Sequence, residues 1–291
     1  MPDFLYTLSD VQLLVFLTTV TVLISLVSIF LVRRFVPSHI LYKDNEMLGS
    51  ISALVGVIYG VLAGLMALYL LNNINIASDA VLKEASAVAN IYRDTIWLDD
   101  PLRTNIQEIV EKYLNQVINV EWPEMSKNKG VSSEGDTIIV NFDDAIITAS
   151  KTAPQLSLII LRDLLSEVKS LYDARQQRIQ LSYSSLEVEI WVVIILGTIL
   201  TLGINYLFGM NIYLHVISVS AASMMVSAII FLMITLDRPY QGEFAIDPGP
   251  FVSILKQVEA HKHHNDELPK GMAQLNRARS NLLSTILKAI H

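Results

Sequence analysis

The sequence predicts an all-α membrane protein with four transmembrane helices and an extended helical extramembrane region between the second and third. Three observations predict it. Hydrophobic residues make up 52% of the chain against 17% charged, and the mean hydropathy is +0.46, well to the apolar side of a soluble domain. Four stretches, Val11 to Val32, Leu48 to Leu71, Ile190 to Met210 and Ile212 to Leu236, contain no Asp, Glu, Lys or Arg, and each has the roughly 20 residues a helix needs to cross the hydrocarbon core. Between the second and third of them, apolar residues recur at helical spacing. The chain divides accordingly into a first transmembrane pair (1–72), a helical extramembrane region (73–189), a transmembrane hairpin (190–236) and a helical C-terminal tail (237–291).

The first stretch is read as a retained span rather than a cleaved leader. It starts Met1-Pro2-Asp3 without a basic region and runs into Arg33-Arg34 without a small-residue cleavage site. The second span carries Gly56, Gly60 and Gly64 four apart. Helices in lipid gain nothing from hydrophobic exclusion, so they associate where small residues let backbones approach. Two readings of the three glycines stand side by side: packing against the first or fourth helix of the same chain, or a small-residue wall lining or surrounding a pore. At the exit of this span Asn72, Asn73 and Asn75 place uncharged amides at the membrane boundary.

Beyond them a stripe of Ile74, Ala77, Val81, Val88, Ile91 and Leu98 continues the second helix outward. Glu84 falls within it, either as a carboxylate satisfied by an arginine or backbone amide, or as a ligand. Asp99-Asp100-Pro101 supplies a helix start with a proline in the first turn, and Leu102, Ile106, Ile109, Tyr113, Val117 and Ile118 mark the buried face that follows. Trp122-Pro123 is expected to end this helix. The polar run Glu124 to Asp136 reads as a surface loop, Asn141 to Ser150 as a short helix, and Pro154 as the start of a long one. The stripe of that long helix, Ser157, Leu161, Leu164, Val168 and Leu171, passes on to Arg175, Arg178 and Ser182. The two arginines read either as ordinary surface residues near the headgroups or as a ring of positive charge at a vestibule shared by several copies.

The third and fourth spans are joined only around Gly209-Met210-Asn211 and must form a tight antiparallel hairpin. Hydroxyls are frequent in the first and fourth spans, where most should bond to carbonyls one turn back. In the tail, His261 to His264 reads as a solvated linker rather than a metal site, and Leu268 to Ile290 as an amphipathic helix suited to the helical region or the bilayer surface.

Several functions are excluded. A net charge of -7 does not suit a nucleic-acid surface. The absence of cysteine removes disulfides and thiolate chemistry. No nucleophile motif, metal-ligand spacing or phosphate loop points to an enzyme, and no cofactor is implied. Without an ionisable Asp, Glu, Lys or Arg in mid-membrane, a proton-coupled carrier is not expected.

The second span running into "NNINIASDAVLKEASAVANIYRDT", "EWP" at Glu121 to Pro123, and "LDRPYQG" from Leu236 to Gly242 resemble the bacterial bestrophin-like family, a membrane family of unknown function. Glu84, Glu121, Trp122, Pro123, Asp237, Pro239 and Gly242 carry the structural part of that likeness, which extends from the "RRFVPSHIL" loop to Phe251. The family is distantly similar to bestrophins, pentameric anion channels with four membrane segments per subunit and a cytosolic helical region between the second and third. The resemblance implies a homo-oligomer, by analogy a pentamer, in a bacterial plasma membrane, with small inorganic ions such as chloride as cargo and the Asn72 to Glu189 region in the cytosol. Two departures matter. The dense acidic cluster that holds calcium in bestrophins is reduced here to Glu243 and Asp247, so calcium gating is not expected. The second span offers glycine, alanine and leucine where bestrophins narrow their pore with bulky side chains.

Two functions follow as expectations. The first is an oligomeric anion channel with the second span nearest the axis, Gly56, Gly60, Gly64, Asn72 and Asn73 on the pore or packing face, and Arg175 and Arg178 at the mouth. The second is a non-conducting membrane scaffold or sensor whose helical region binds a protein partner.

Overall fold

The computed structural model describes residues 9–37, 45–127 and 130–267, with the backbone alone for 156 and for 263–267. Within them every regular element is a helix. Four helices are long and apolar enough to span a bilayer: α1 (Asp10–Phe35), α2 (Asn45–Asp94), α7 (Val188–Tyr206) and α8 (Ile212–Leu236). Between α2 and α7 lie a 3-10 turn (Thr95–Trp97), α3 (Leu102–Gln116), a π-helical turn (Val117–Glu121), α4 (Trp122–Ser126), α5 (Glu134–Ser150) and α6 (Gln155–Ser182); α9 (Gly249–Glu267) follows the last span. The chain is a multi-pass all-α membrane protein.

Its described residues form two compact units, those within Met1–Ile76 and Leu181–Ile246, and those within Ala77–Gln180 and Asp247–His291. The first unit holds the spans. Ser9 and Gln12 form a reciprocal capping box that starts α1. Leu13, Ala63, Leu70, Trp191, Ile194, Met233 and Ile234 make the inner core, while Val11, Phe30, Leu65, Val192 and Met225 remain more than half exposed, as the surface of a lipid-facing bundle requires. The hydroxyls do more than bond back to their own helix. Thr18 pairs with Ser227 at 3.1 Å, Ser25 with Tyr206 at 2.8 Å, and Ser223 donates to Ser25 at 2.7 Å. These bonds tie α1 to α7 and α8 where hydrophobic exclusion contributes nothing.

The hairpin is tight, as its length requires, but α7 stops at Tyr206 rather than reaching Met210. Asn45 accounts for the difference: its side-chain amide donates to the Gly209 carbonyl at 2.6 Å, and its carbonyl accepts from the Gly209 N–H at 2.9 Å. Both backbone groups of Gly209 are thereby satisfied outside the helix. Arg33 donates to the Met210 carbonyl at 2.6 Å and to His215 Nδ1 at 3.0 Å, leaving Nε2 to donate to the Asn205 carbonyl at 3.0 Å. A guanidinium cannot accept and a carbonyl cannot donate, so this geometry requires the neutral Nε2–H tautomer of His215.

The second unit is packed about Val88, Ile91, Ile106, Tyr113, Leu114, Phe142, Leu164, Leu171 and Phe251, all fully buried. Three sequence expectations change here. Pro123 does not end its helix, because the preceding π turn shifts the hydrogen bonding by one residue and Pro123 falls in the first turn of α4, where a missing N–H costs little. Pro101 stands just before α3 rather than inside its first turn. The polar run is helical from Glu134 onward, so α5 is a 17-residue helix and not a short one.

Candidate functional site

Helix α2 presents the first candidate. Ala53, Val57, Gly60, Gly64, Leu68 and Leu71 are exposed along it at three- and four-residue steps, and Gly56 is half-buried. A methyl group built on Gly56, Gly60 or Gly64 would meet nothing within 4 Å. Among the described residues the glycine face is therefore without a close neighbour, and the reading in which it packs against the first or fourth helix is corrected. The neighbours of α2 approach on other sides, for example where the Tyr59 ring meets Gly197, leaving a Cβ there only 2.5 Å from the ring. Asn72 is exposed at the end of this face and Asn73 is half-buried.

The second candidate is a charge cluster in the helical unit. Glu84 of α2, Glu121 of the π turn, and Arg175 and Arg178 of α6 are all fully buried. Arg178 grips Glu84 with both ends of its fork, Nε to Oε2 at 2.6 Å and Nη2 to Oε1 at 2.9 Å, and also donates from Nη2 to Glu121 Oε2 at 2.6 Å. Its Nη1 points at Met125 Sδ, 3.3 Å away, and its Cζ lies over the Trp122 ring, 5.5 Å from the centroid. Trp122 in turn meets Phe251 edge-on at 5.8 Å. Tyr113 donates its hydroxyl to Glu84 Oε1 at 2.7 Å. Arg175 Nη2 lies 3.0 Å from Glu121 Oε1 and donates to the Ser132 carbonyl at 3.2 Å, while its Nε faces Asp136 at 3.5 Å.

The π turn explains how Glu121 and Trp122, adjacent in sequence, are both buried. The widened turn rotates the helix so that both point inward. The arginines are thus interior residues whose charge is neutralised within the protomer. As a correction to the expected vestibule ring, neither guanidinium faces solvent: both are fully buried, Arg178 paired with Glu84 and Glu121 and Arg175 with Glu121. Glu84 is a carboxylate held by an arginine. Periodicity revealed Glu84 and Tyr113 as members of inward stripes and carried the same spacing on to the arginines, which were expected at the surface or a vestibule; Met125, Gly135 and Asp136, whose roles depend on the turn and loop geometry, it did not reveal.

Burial raises the Tyr113 hydroxyl well above its ordinary range, with Glu84 beside it adding to the effect. For Arg178 burial works against the charge, but Glu84 and Glu121 outweigh it and hold the guanidinium charged well above its usual value. Burial is also the main influence on Glu121 and raises its carboxyl above the ordinary 4.5, against the pull of Arg178 and Arg175. A carboxyl raised in the fold contributes stability that is fully present below 4.5 and lost as pH rises through the folded value. Wild-type protein should therefore gain on a Glu121→Gln variant as pH falls from neutrality toward 4.5. Paired thermal melts would read this, and a gap moving the other way would mean that the arginines dominate.

The "LDRPYQG" segment serves a turn. Asp237, 3% exposed, accepts from the Leu186 N–H at 2.6 Å, the Pro239 carbonyl accepts from Ile246 at 2.9 Å, and Gly242 adopts φ +86, which a side chain would resist. Pro123 is exposed. Among the described residues no group of three His, Asp or Glu could hold a metal. His261 lies against Tyr92 with ring centroids 6.2 Å apart; the side chains of His263 and His264, and the amphipathic Leu268 to Ile290, lie outside the described residues.

A family model described as a bestrophin-like domain matches residues 19–251. No curated protein matches the chain. Among solved structures, a point variant of a bacterial bestrophin homolog from Klebsiella pneumoniae aligns at TM-score 0.63 and 13% identity, over 84% of this chain and 98% of that one. Another structure of a bestrophin homolog from the same organism aligns at 0.59 and 14%, over 84% and 95%. A point variant described only as a membrane protein aligns at 0.62 and 11%, over 84% and 97%. At such identities the likeness is one of fold.

Proposed function

Because the chain belongs to the bestrophin-like family, we propose that several copies assemble in a bacterial plasma membrane into an anion channel, with α2 nearest the axis and chloride as a permeant ion. The observation that carries this reading is the α2 face on which Gly56, Gly60 and Gly64 meet nothing within 4 Å. Each helical glycine costs about 1 kcal/mol relative to alanine, and no contact among the described residues offsets that cost. A second copy approaching closely, or an open conduit, supplies the reason. Four slender helices in a single copy leave no room for an aqueous path, so oligomerisation and conduction stand together. By analogy with bestrophins the oligomer is a pentamer and the Asn72 to Glu189 region is cytoplasmic.

The internal pairing of Arg175 and Arg178 removes them as ion-attracting groups at the mouth. Asn72 and Asn73 at the span boundary are better placed, since their amide N–H groups can replace part of an anion's hydration. Bestrophins, to which the family is distantly similar, act as channels, and the same face gives no support to catalysis.

Reconstituted liposomes test the proposal. Wild-type protein is expected to release chloride, and Gly60→Leu, which projects an isobutyl group from every copy, is expected to abolish release while native mass spectrometry still finds the oligomer. Folded wild-type oligomer in vesicles that stay impermeable overturns it. A non-conducting scaffold or sensor is the second reading. It draws on a cleft of about 1050 Å³ in the helical unit, lined among others by Trp97, Asp99, Asp100, Asn141, Asp144 and Pro154, large enough for a partner's side chains.

A further inference from the structure

We propose that the trough between α2 and α7 binds one acyl chain of a phospholipid whose headgroup carries an amine. The trough encloses about 490 Å³ within the membrane unit, and Ile58, Leu62, Met66, Val193 and Leu200 are among the aliphatic residues that line it. Tyr59 supplies the one hydroxyl among its lining residues, and that group is committed to Thr198 at 3.0 Å. What the trough offers a ligand is hydrocarbon.

Depth and width identify the ligand. On α7 the lining runs from Glu189 to Leu200, which at 1.5 Å per residue is about 16 Å, or half of a hydrocarbon core about 30 Å thick. The trough therefore begins at the first turn of α7 and spans one leaflet. Spread over that length, its volume gives a cross-section of about 30 Å², room for a single polymethylene chain with carbon neighbours at about 3.5 to 4.0 Å. A helix from another copy, about 10 Å across, would reach into it only with the side chains of one ridge. The trough also opens sideways on the surface of the single chain, since Ile58, Val193 and Leu200 are 52%, 55% and 49% exposed.

The mouth chooses the headgroup. Glu189 is the one charged residue among the lining residues; it is exposed, and so is Glu187 just before it. Two carboxylates at the entrance attract an ammonium group and repel a headgroup that carries only negative charge.

Delipidated protein titrated with phosphatidylethanolamine or phosphatidylglycerol of equal chain length, read by native mass spectrometry, tests this directly. Wild-type protein is expected to retain one phosphatidylethanolamine per protomer and to prefer it to phosphatidylglycerol. Val193→Trp fills the trough and should weaken retention at least about tenfold. Val192→Trp is the control, because Val192 is 60% exposed and is not among the lining residues. The double change Glu187→Gln with Glu189→Gln should bind both lipids alike. Equal retention by the two tryptophan variants overturns the proposal. So does a disulfide between copies of a Val193→Cys variant, unambiguous in a chain without cysteine, which would assign the trough to a second copy. Lipid mass is read independently of ion flux, so failure here and failure of the channel reading are separable.

Discussion

Arg178→Met is expected to destabilise the helical unit by about 3–5 kcal/mol, the usual result of removing one partner from a buried ion pair. Arg178 is fully buried and makes three charge-assisted hydrogen bonds, two to Glu84 and one to Glu121. Methionine fills much of the same volume, so the effect reports charge rather than a cavity. Without the guanidinium, Glu84 retains only the Tyr113 hydroxyl among its described hydrogen bonds, and Glu121 depends on Arg175 alone for compensation. Thermal unfolding followed by circular dichroism in detergent measures the loss. Adding Glu84→Gln to Arg178→Met should recover part of it, because the second change removes the charge that the first left stranded. A single variant that melts within a degree or two of wild type would mean that the cluster is solvated.

Gly135→Ala is expected to cost roughly 1–3 kcal/mol through overpacking, in a helix where alanine ordinarily improves on glycine. A methyl group there would lie 2.7 Å from Arg175 Cζ and closer still to Arg175 Nη2 and Glu121 Oε1. Long side chains can usually swing away from such an approach. Here both are fully buried, Glu121 is also held by Arg178 and Arg175 by the Ser132 carbonyl, so relief comes only by parting the ion pair. The readout is the same melt, with a distinguishing sign: relaxation that parts the pair should make Gly135→Ala more sensitive to Arg178→Met than wild type is. An unchanged or raised melting temperature would show that the two side chains move freely.

Glu84 and the arginines show how the fold and the candidate site differ in legibility. Stripes of apolar residues placed Glu84 and Tyr113 on inward faces of their helices and put Arg175 and Arg178 in register with one, because a 3.6-residue period is a local property. Pairing is not local: Arg178 and Glu84 are 94 residues apart, and Arg178 and Glu121 are 57 apart. The arginines therefore looked available to ions although their charge is neutralised inside the protomer. Pro123 was misread for a related reason. Its effect depends on the hydrogen-bond register handed to it by the π turn before it, which no propensity of the proline itself reveals.

The sequence by itself determined the class of this protein, its four spans and the helical nature of what lies between them, because hydropathy and periodicity add up residue by residue along the chain. Only the tertiary structure decided which faces were already satisfied: it paired the buried charges with one another, and it left the glycines of α2 and the trough beside α7 without a partner among the described residues. Whether a surface is free depends on what comes to lie against it, and that follows from packing between residues remote in sequence.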